Sequence, residues 1–161
     1  MRPPLASLAG IPALFVCGSA SRTARDLESI AAARGMPVIR MPDHENPAVA
    51  WSGAVVASIK NSAAALMTIG RPTIDRSPGA GQRLLTNLAE AVRDVLQRAQ
   101  IATMFLEGGA TASAVCRRMD WNDLAVIGEL AGGVVALQAD THRIVIKPGS
   151  YTWPQQVFDF H

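Results

Sequence analysis

Three short segments combine glycine with a hydroxyl or an ammonium group at spacings that suit anion binding. In Cys17-Gly18-Ser19-Ala20-Ser21, Gly18 lets a ligand approach the backbone, and the hydroxyls can cap a helix or meet a phosphate. In Glu107-Gly108-Gly109-Ala110-Thr111-Ala112-Ser113, two residues without side chains precede a hydroxyl, so successive amides can converge on one anion while Thr111 adds a donor. In Lys147-Pro148-Gly149-Ser150-Tyr151, an ammonium stands beside a glycine-containing turn and is placed to reach a phosphate. Each segment also has an ordinary reading: a capped strand–helix turn, a glycine turn with Thr111 as N-cap, and a solvated surface lysine.

Other chemistry is sparse. Gly79-Ala80-Gly81 begins like a dinucleotide fingerprint but has Leu84 where the third glycine belongs, and no Walker signature occurs. His44, His142 and His161 lack a carboxylate or serine partner in any motif and read as polar surface residues, so no catalytic residue is assigned. Asp26, Glu28 and Glu107 are the carboxylates considered for a metal. Only Glu107 stands near a phosphate-type loop, and it reads more simply as a solvent-facing turn residue, so no metal ligand is assigned. Cys17 and Cys116 form no Cys-x-x-Cys pair, which excludes a zinc ribbon or disulfide scaffold and leaves two small buried hydrophobes.

The elements that must position these loops alternate. Ile11 to Val16 reads as a strand with Pro12 at its start, and Thr23 to Arg34 as a helix after an N-cap at Ser19 or Ser21. Met36 to Met41 reads as a strand and Ala48 to Ser58 as a helix weakened by Trp51-Ser52-Gly53. Ala63 to Ile69 is a fully apolar strand, and a polar loop over Thr73 to Gly81 follows. Gln82 to Ala99 is the clearest helix, its Leu84, Leu85, Leu88, Val92, Val95 and Leu96 forming one stripe. Ala102 to Leu106 is a strand and Thr111 to Met119 a helix. From Leu124 the pattern turns strand-rich, with Leu124–Ile127, Val134–Leu137 and Arg143–Ile146 expected as edge strands. The sum is a three-layer α/β fold: a mainly parallel sheet flanked by helices, with a mixed, strand-rich C-terminal edge.

Composition narrows the function classes. With 161 residues the chain fits one domain. A net charge of +2 and 5% aromatic residues argue against a nucleic-acid partner, by electrostatics or by stacking. Charged residues reach only 17%, against roughly 25% in an average domain, so part of the surface is expected to be buried in an interface such as a homo-oligomer's. Arg2 and the apolar run Leu5 to Cys17 imitate a signal peptide, but Pro3, Pro4 and Pro12 break its helix; no run is long enough to span a membrane, and a cytoplasmic protein is expected.

Taken in order, Val16-Cys17-Gly18-Ser19-Ala20-Ser21, Gly108-Gly109-Ala110-Thr111 and Ile146-Lys147-Pro148-Gly149-Ser150-Tyr151, with Val126-Ile127-Gly128-Glu129 before the last, resemble the C-terminal nucleotide-binding domain of the four-carbon acid sugar kinase family. The likeness runs from about Pro12 to Phe160. It implies a domain that holds ATP and Mg²⁺ while a separate N-terminal domain holds a tetronate or 3-oxo-tetronate. By position it implies nucleotide contacts at Ser19, Gly108, Gly109, Ala110, Thr111 and Gly149, with Lys147 nearby. Ala110 stands where the family often has an acidic or polar residue, and Tyr151-Thr152 where Phe-Gly is frequent. On this reading residues 1–161 are one nucleotide-binding domain, the sugar-binding half is missing, and the chain alone has no turnover. The rival expectation is a non-catalytic interaction module that keeps the fold without nucleotide. A Rossmann-like dinucleotide enzyme is disfavoured by the failed fingerprint.

Overall fold

The computed structural model describes residues 11–19, 22–70 and 77–159. The signal-peptide-like start before residue 11, the capping role considered for Ser21, the first part of the polar loop (Thr73 to Arg76) and the C-terminal His161 lie outside them.

Strands β1 (Ala13–Cys17), β2 (Val38–Arg40), β3 (Ala64–Thr68) and β4 (Thr103–Glu107) alternate with helices α1 (Arg22–Ala33), α2 (Ala48–Ile59) and α3 (Ala80–Arg98). Helix α4 (Gly109–Arg118) then leads to β5 (Ala125–Ala131), β6 (Val134–Ala139) and β7 (His142–Lys147), and a 3₁₀ turn, Gln155–Phe158, ends the described chain. The sheet order is β2-β3-β1-β4-β7-β6-β5. The first five strands of that order are parallel, and β6 and β5 are added antiparallel.

The continuous apolar runs predict strands covered on both faces, and β1, β3 and β4 are buried at every position. One face carries α1 and the C-terminal turn, packed on Phe15, Leu66, Phe105 and Val145. There Phe15 stacks on Phe105 and Phe158 with centroids 4.5 and 5.3 Å apart, and Trp153 meets both Phe15 and Phe105 edge-on. The other face carries α2, α3 and α4 on Leu14, Val16, Met67, Met104 and Leu106. The placement follows from right-handed crossovers: the chain leaves β1 toward β2 in one direction along the sheet, and returns through β3 to β4 in the other, so α1 falls on the opposite face from α2 and α3.

Two expectations are corrected. Strands β6 and β7 are not edge strands: β7 lies between β4 and β6, paired parallel to β4, with Ile144 and Ile146 packing into one core and Val145 into the other, and β6 lies between β7 and β5, which alone of the three forms that edge. Residues Trp51-Ser52-Gly53 do not interrupt α2: Trp51 Nε1 donates to the Ile39 carbonyl at 3.1 Å, and the buried Ser52 hydroxyl is bonded to Asp94 of α3. The amphipathic Trp is tied to β2 and the small Ser to α3, and these tertiary contacts override their modest helix propensity.

Candidate functional site: a crevice where two loops part

The parallel register aligns Thr68, Cys17, Glu107 and Lys147 side by side at the carboxyl ends of β3, β1, β4 and β7. Alternation places the four on the face of α1 and Trp153, together with Leu66, Phe15, Phe105 and Val145. Directly beyond them the loops diverge. The chain after β1 runs to α1 on one face, whereas the chain after the neighbouring β4 runs to α4 on the other. Adjacent strand ends whose loops part to opposite faces leave a crevice, the position at which open α/β sheets take their ligands.

Helix α4 begins immediately at that crevice. Gly108, at φ +91°, turns the chain out of the sheet, its N–H donating to the Lys147 carbonyl at 2.8 Å. The first helical bond runs from Ala112 N–H to the Gly108 carbonyl at 3.1 Å, so the amides of Gly109, Ala110 and Thr111 stand ahead of the intrahelical ladder with the positive end of the dipole. Gly109 and Ala110 are exposed. The helix starts two residues before the expected Thr111, because no side chain caps it and Gly108 itself is the N-cap.

Thr111 therefore works inside the first turn instead of capping it. It is buried, and its Oγ1 accepts the Gly18 N–H at 3.1 Å, bridging the two parting loops while keeping its own proton to donate. Gly18 is required there, since an added Cβ would lie 2.6 Å from Thr111 Oγ1 and 2.8 and 2.9 Å from the methyls of Leu85 and Leu88. Gly109 and Gly149 differ from it. Each has an ordinary φ and nothing within 4 Å of an added Cβ, so neither packing nor backbone conformation requires glycine there. Ser19 lies half-buried just beyond Gly18, its carbonyl accepting from Cys17 Sγ at 3.6 Å. Burial first, with the Glu107 charge adding to it, pushes the Cys17 thiol up to about 11 against the opposing Ser19 hydrogen bond, which makes it inert at neutral pH.

Glu107 and Lys147 are both 1% exposed, which corrects the solvent-facing reading of Glu107 and the surface-lysine alternative for Lys147. Their Oε1 and Nζ lie 2.8 Å apart as an ion pair outside hydrogen-bonding geometry, while the ammonium donates to the carbonyls of Pro148 at 3.0 Å and Tyr151 at 2.6 Å. The indole N–H of Trp153 donates to Glu107 Oε2. The sequence gives no sign of this pairing, because the two residues are forty positions apart and meet only through the parallel β4–β7 register. The turn carrying Gly149 also touches α1: Thr23 Oγ1 donates to the Gly149 carbonyl at 3.3 Å. Ser19, Gly108, Gly109, Ala110, Thr111, Lys147 and Gly149 thus gather at the ends of β1, β4 and β7. Asp26 and Glu28 do not join them, since both lie within α1 and Glu28 pairs with Arg40 at 2.6 Å. No group of three His, Cys, Asp or Glu able to hold a metal ion occurs among the described residues.

The family model of the nucleotide-binding C-terminal domain matches residues 14–151. This chain belongs to that family. No curated protein sequence matches it. Among solved structures, a Bordetella bronchiseptica protein containing a domain of unknown function, crystallised with citrate as a domain-swapped dimer, matches at 24% identity in one crystal form. That match covers 87% of this chain and 37% of the other, with a TM-score of 0.70. A second crystal form of it gives a TM-score of 0.73 at 23% identity over 92% and 38% of the two chains. A Haemophilus influenzae protein of the same domain family matches at 16% identity over 96% and 41%, with a TM-score of 0.71. These likenesses show the fold, and the chain spans about two fifths of the length of the proteins it matches. No helix among the described residues is long and apolar enough to cross a membrane.

Proposed function

We propose that this chain is the ATP-binding portion of a four-carbon acid sugar kinase, in which ATP phosphorylates a hydroxyl of a tetronate or 3-oxo-tetronate held by a separate N-terminal domain. The observation that carries the reading is the crevice between β1 and β4, entered by three amides ahead of the α4 ladder and bordered by Gly109 and Gly149, two glycines the fold itself does not require. A phosphate gives both facts one reason: it accepts from clustered amides, and it needs the space a Cβ would take.

The amides of Gly109, Ala110 and Thr111 would hold phosphate oxygens, the Thr111 hydroxyl would donate its remaining proton, and Ser19, Gly108 and Gly149 would line the approach. Ala110 brings only its backbone. Bound ATP supplies the phosphoryl group. With Glu107 committed to Lys147 and Trp153, Mg²⁺ would be held by the phosphates and water and not by a cluster of carboxylates from this chain. Among the described residues no base for the sugar hydroxyl stands in the crevice, and in this reading the base comes with the sugar-binding domain, without which the domain turns nothing over. The domain-swapped dimer of the Bordetella protein and the low charge content favour a partner polypeptide or second copy, and a cytoplasmic setting accords with the metabolite substrate.

Amide resonances followed during titration with ATP and Mg²⁺ test this. The proposal requires shifts at Gly109 to Thr111 and at Gly149, abolished by Gly109→Val with the fold intact. A spectrum unmoved at saturating nucleotide would favour the interaction module instead.

A further inference from the structure

Lys147 is chemically the most conspicuous group at the crevice, and its ammonium is already bonded to the turn and paired with a buried carboxylate. It is 1% exposed, lies 2.8 Å from Glu107 Oε1, donates to two carbonyls of the turn that follows it, and sits 5.8 Å from the centre of the Trp153 ring. Two ammonium protons are thus bonded to carbonyls of the turn, and the charge is answered by Glu107, all from within the chain. Reaching a phosphate would break both carbonyl bonds and leave Glu107 ionised in the core without its counter-charge.

We infer that Lys147 is a positioning residue, pinning the 148–151 turn and with it Gly149 over the crevice, and not a phosphate ligand. The geometry is that of a buttoned loop. The ammonium grips the turn at both ends, through Pro148 and Tyr151, and the Tyr151 N–H closes the same turn onto the Pro148 carbonyl at 3.1 Å. Glu107 anchors the button to β4 and, through Trp153, ties the chain beyond the turn to the same carboxylate. On the outer side the Tyr151 ring lies against Gly133 of the β5–β6 hairpin so closely that an added Cβ would be 2.7 Å from it. The β5–β6 hairpin thereby acquires a role: it is the outer wall of the turn that carries Gly149.

The inference rests on the proposed nucleotide site for its purpose, while the pinning itself can be measured without any ligand. The test uses the whole chain as wild type, Glu107→Gln, and the double variant Lys147→Met with Glu107→Gln, which removes both charges together and so leaves neither one buried alone. Hydrogen exchange without nucleotide is expected to rise at least about tenfold at the amides of Gly149 to Trp153 in the double variant, with exchange in β1 unchanged; equal protection in wild type and variant would overturn the inference. Titration with ATP and ADP gives the second reading. A pinning lysine weakens both ligands by a similar factor in Glu107→Gln and in the double variant. A phosphate ligand would instead be set free by Glu107→Gln, which would raise ATP affinity relative to ADP, and that result would also overturn the inference. Should the wild type bind neither ligand, the nucleotide proposal fails by itself and the exchange result still decides whether Lys147 pins the turn.

Discussion

Gly18 and Gly109 stand at the starts of the two loops that border the crevice, yet they are glycine for opposite reasons, and replacing each with alanine separates the reasons. At Gly18 a Cβ would meet Thr111 Oγ1 at 2.6 Å, Leu85 Cδ2 at 2.8 Å and Leu88 Cδ2 at 2.9 Å. The leucine methyls are flexible ends, but Leu88 is fully buried, and Thr111 Oγ1 sits one bond from its Cβ on a helix that cannot slide. Relief on all three sides at once is therefore closed. Overpacking of this kind costs about 1–3 kcal/mol, and misplacing the Gly18–Thr111 hydrogen bond adds about 1 kcal/mol. Gly18→Ala should then lose roughly 2–4 kcal/mol, which in a domain of this size lowers the melting temperature by roughly 4–16 °C. At Gly109, where nothing lies within 4 Å, alanine is a better helix former by up to about 1 kcal/mol, so Gly109→Ala should match or exceed the wild type in stability while binding ATP more weakly. Urea unfolding followed by tryptophan fluorescence measures both. A Gly18→Ala protein as stable as wild type, or a Gly109→Ala protein that unfolds more easily, would refute the reasoning.

Lys147→Met alone leaves a buried carboxylate without its counter-charge and should cost about 3–5 kcal/mol, whereas the double variant with Glu107→Gln should recover at least half of that; equal losses in the denaturation curves would show that the pair is not coupled. Thr111→Val keeps the shape of the side chain but orphans the Gly18 N–H, an expected loss of about 1–3 kcal/mol in the same assay, and a variant as stable as wild type would mean the two loops are not tied together there. Cys17 is raised from 9.0 to about 11 by burial, so from pH 9 upward the unfolded thiol ionises while the folded one stays protonated. Its stabilising contribution is whole below pH 9 and is lost progressively toward pH 11, by a few kcal/mol at most, so the stability gap between wild type and Cys17→Ala should narrow over that range; a constant gap contradicts the burial argument.

The strands and helices were legible because their signals are local. Uninterrupted apolar runs at Leu14, Leu66 and Phe105 mark strands covered on both faces, and the stripe from Leu84 to Leu96 marks α3, all within a residue or two of their final bounds. What escaped is what depends on strand order. Placing β7 beside β4 brings Glu107 against Lys147, and no periodicity announces that neighbour; viewed as a sequence, an acid before Gly-Gly and a lysine before Pro-Gly both look like solvated turn residues. Similarly, Gly18, Gly109 and Gly149 are indistinguishable as letters, and only the space around each tells that Gly18 serves packing while the other two do not. The crevice itself arises from α1 and α4 taking opposite faces, a consequence of topology that the loop sequences do not contain.

The central claim is that the crevice between β1 and β4 holds an adenine nucleotide, and isothermal titration of the purified chain with ATP and Mg²⁺, run beside ADP, GTP and NADH, tests it most directly because it needs no sugar acid. The account predicts saturable, one-to-one binding of ATP and ADP that outcompetes GTP and NADH and disappears in Gly109→Val. Binding of NADH in preference to ATP, or no heat with any nucleotide from a chain shown to be folded, would contradict it.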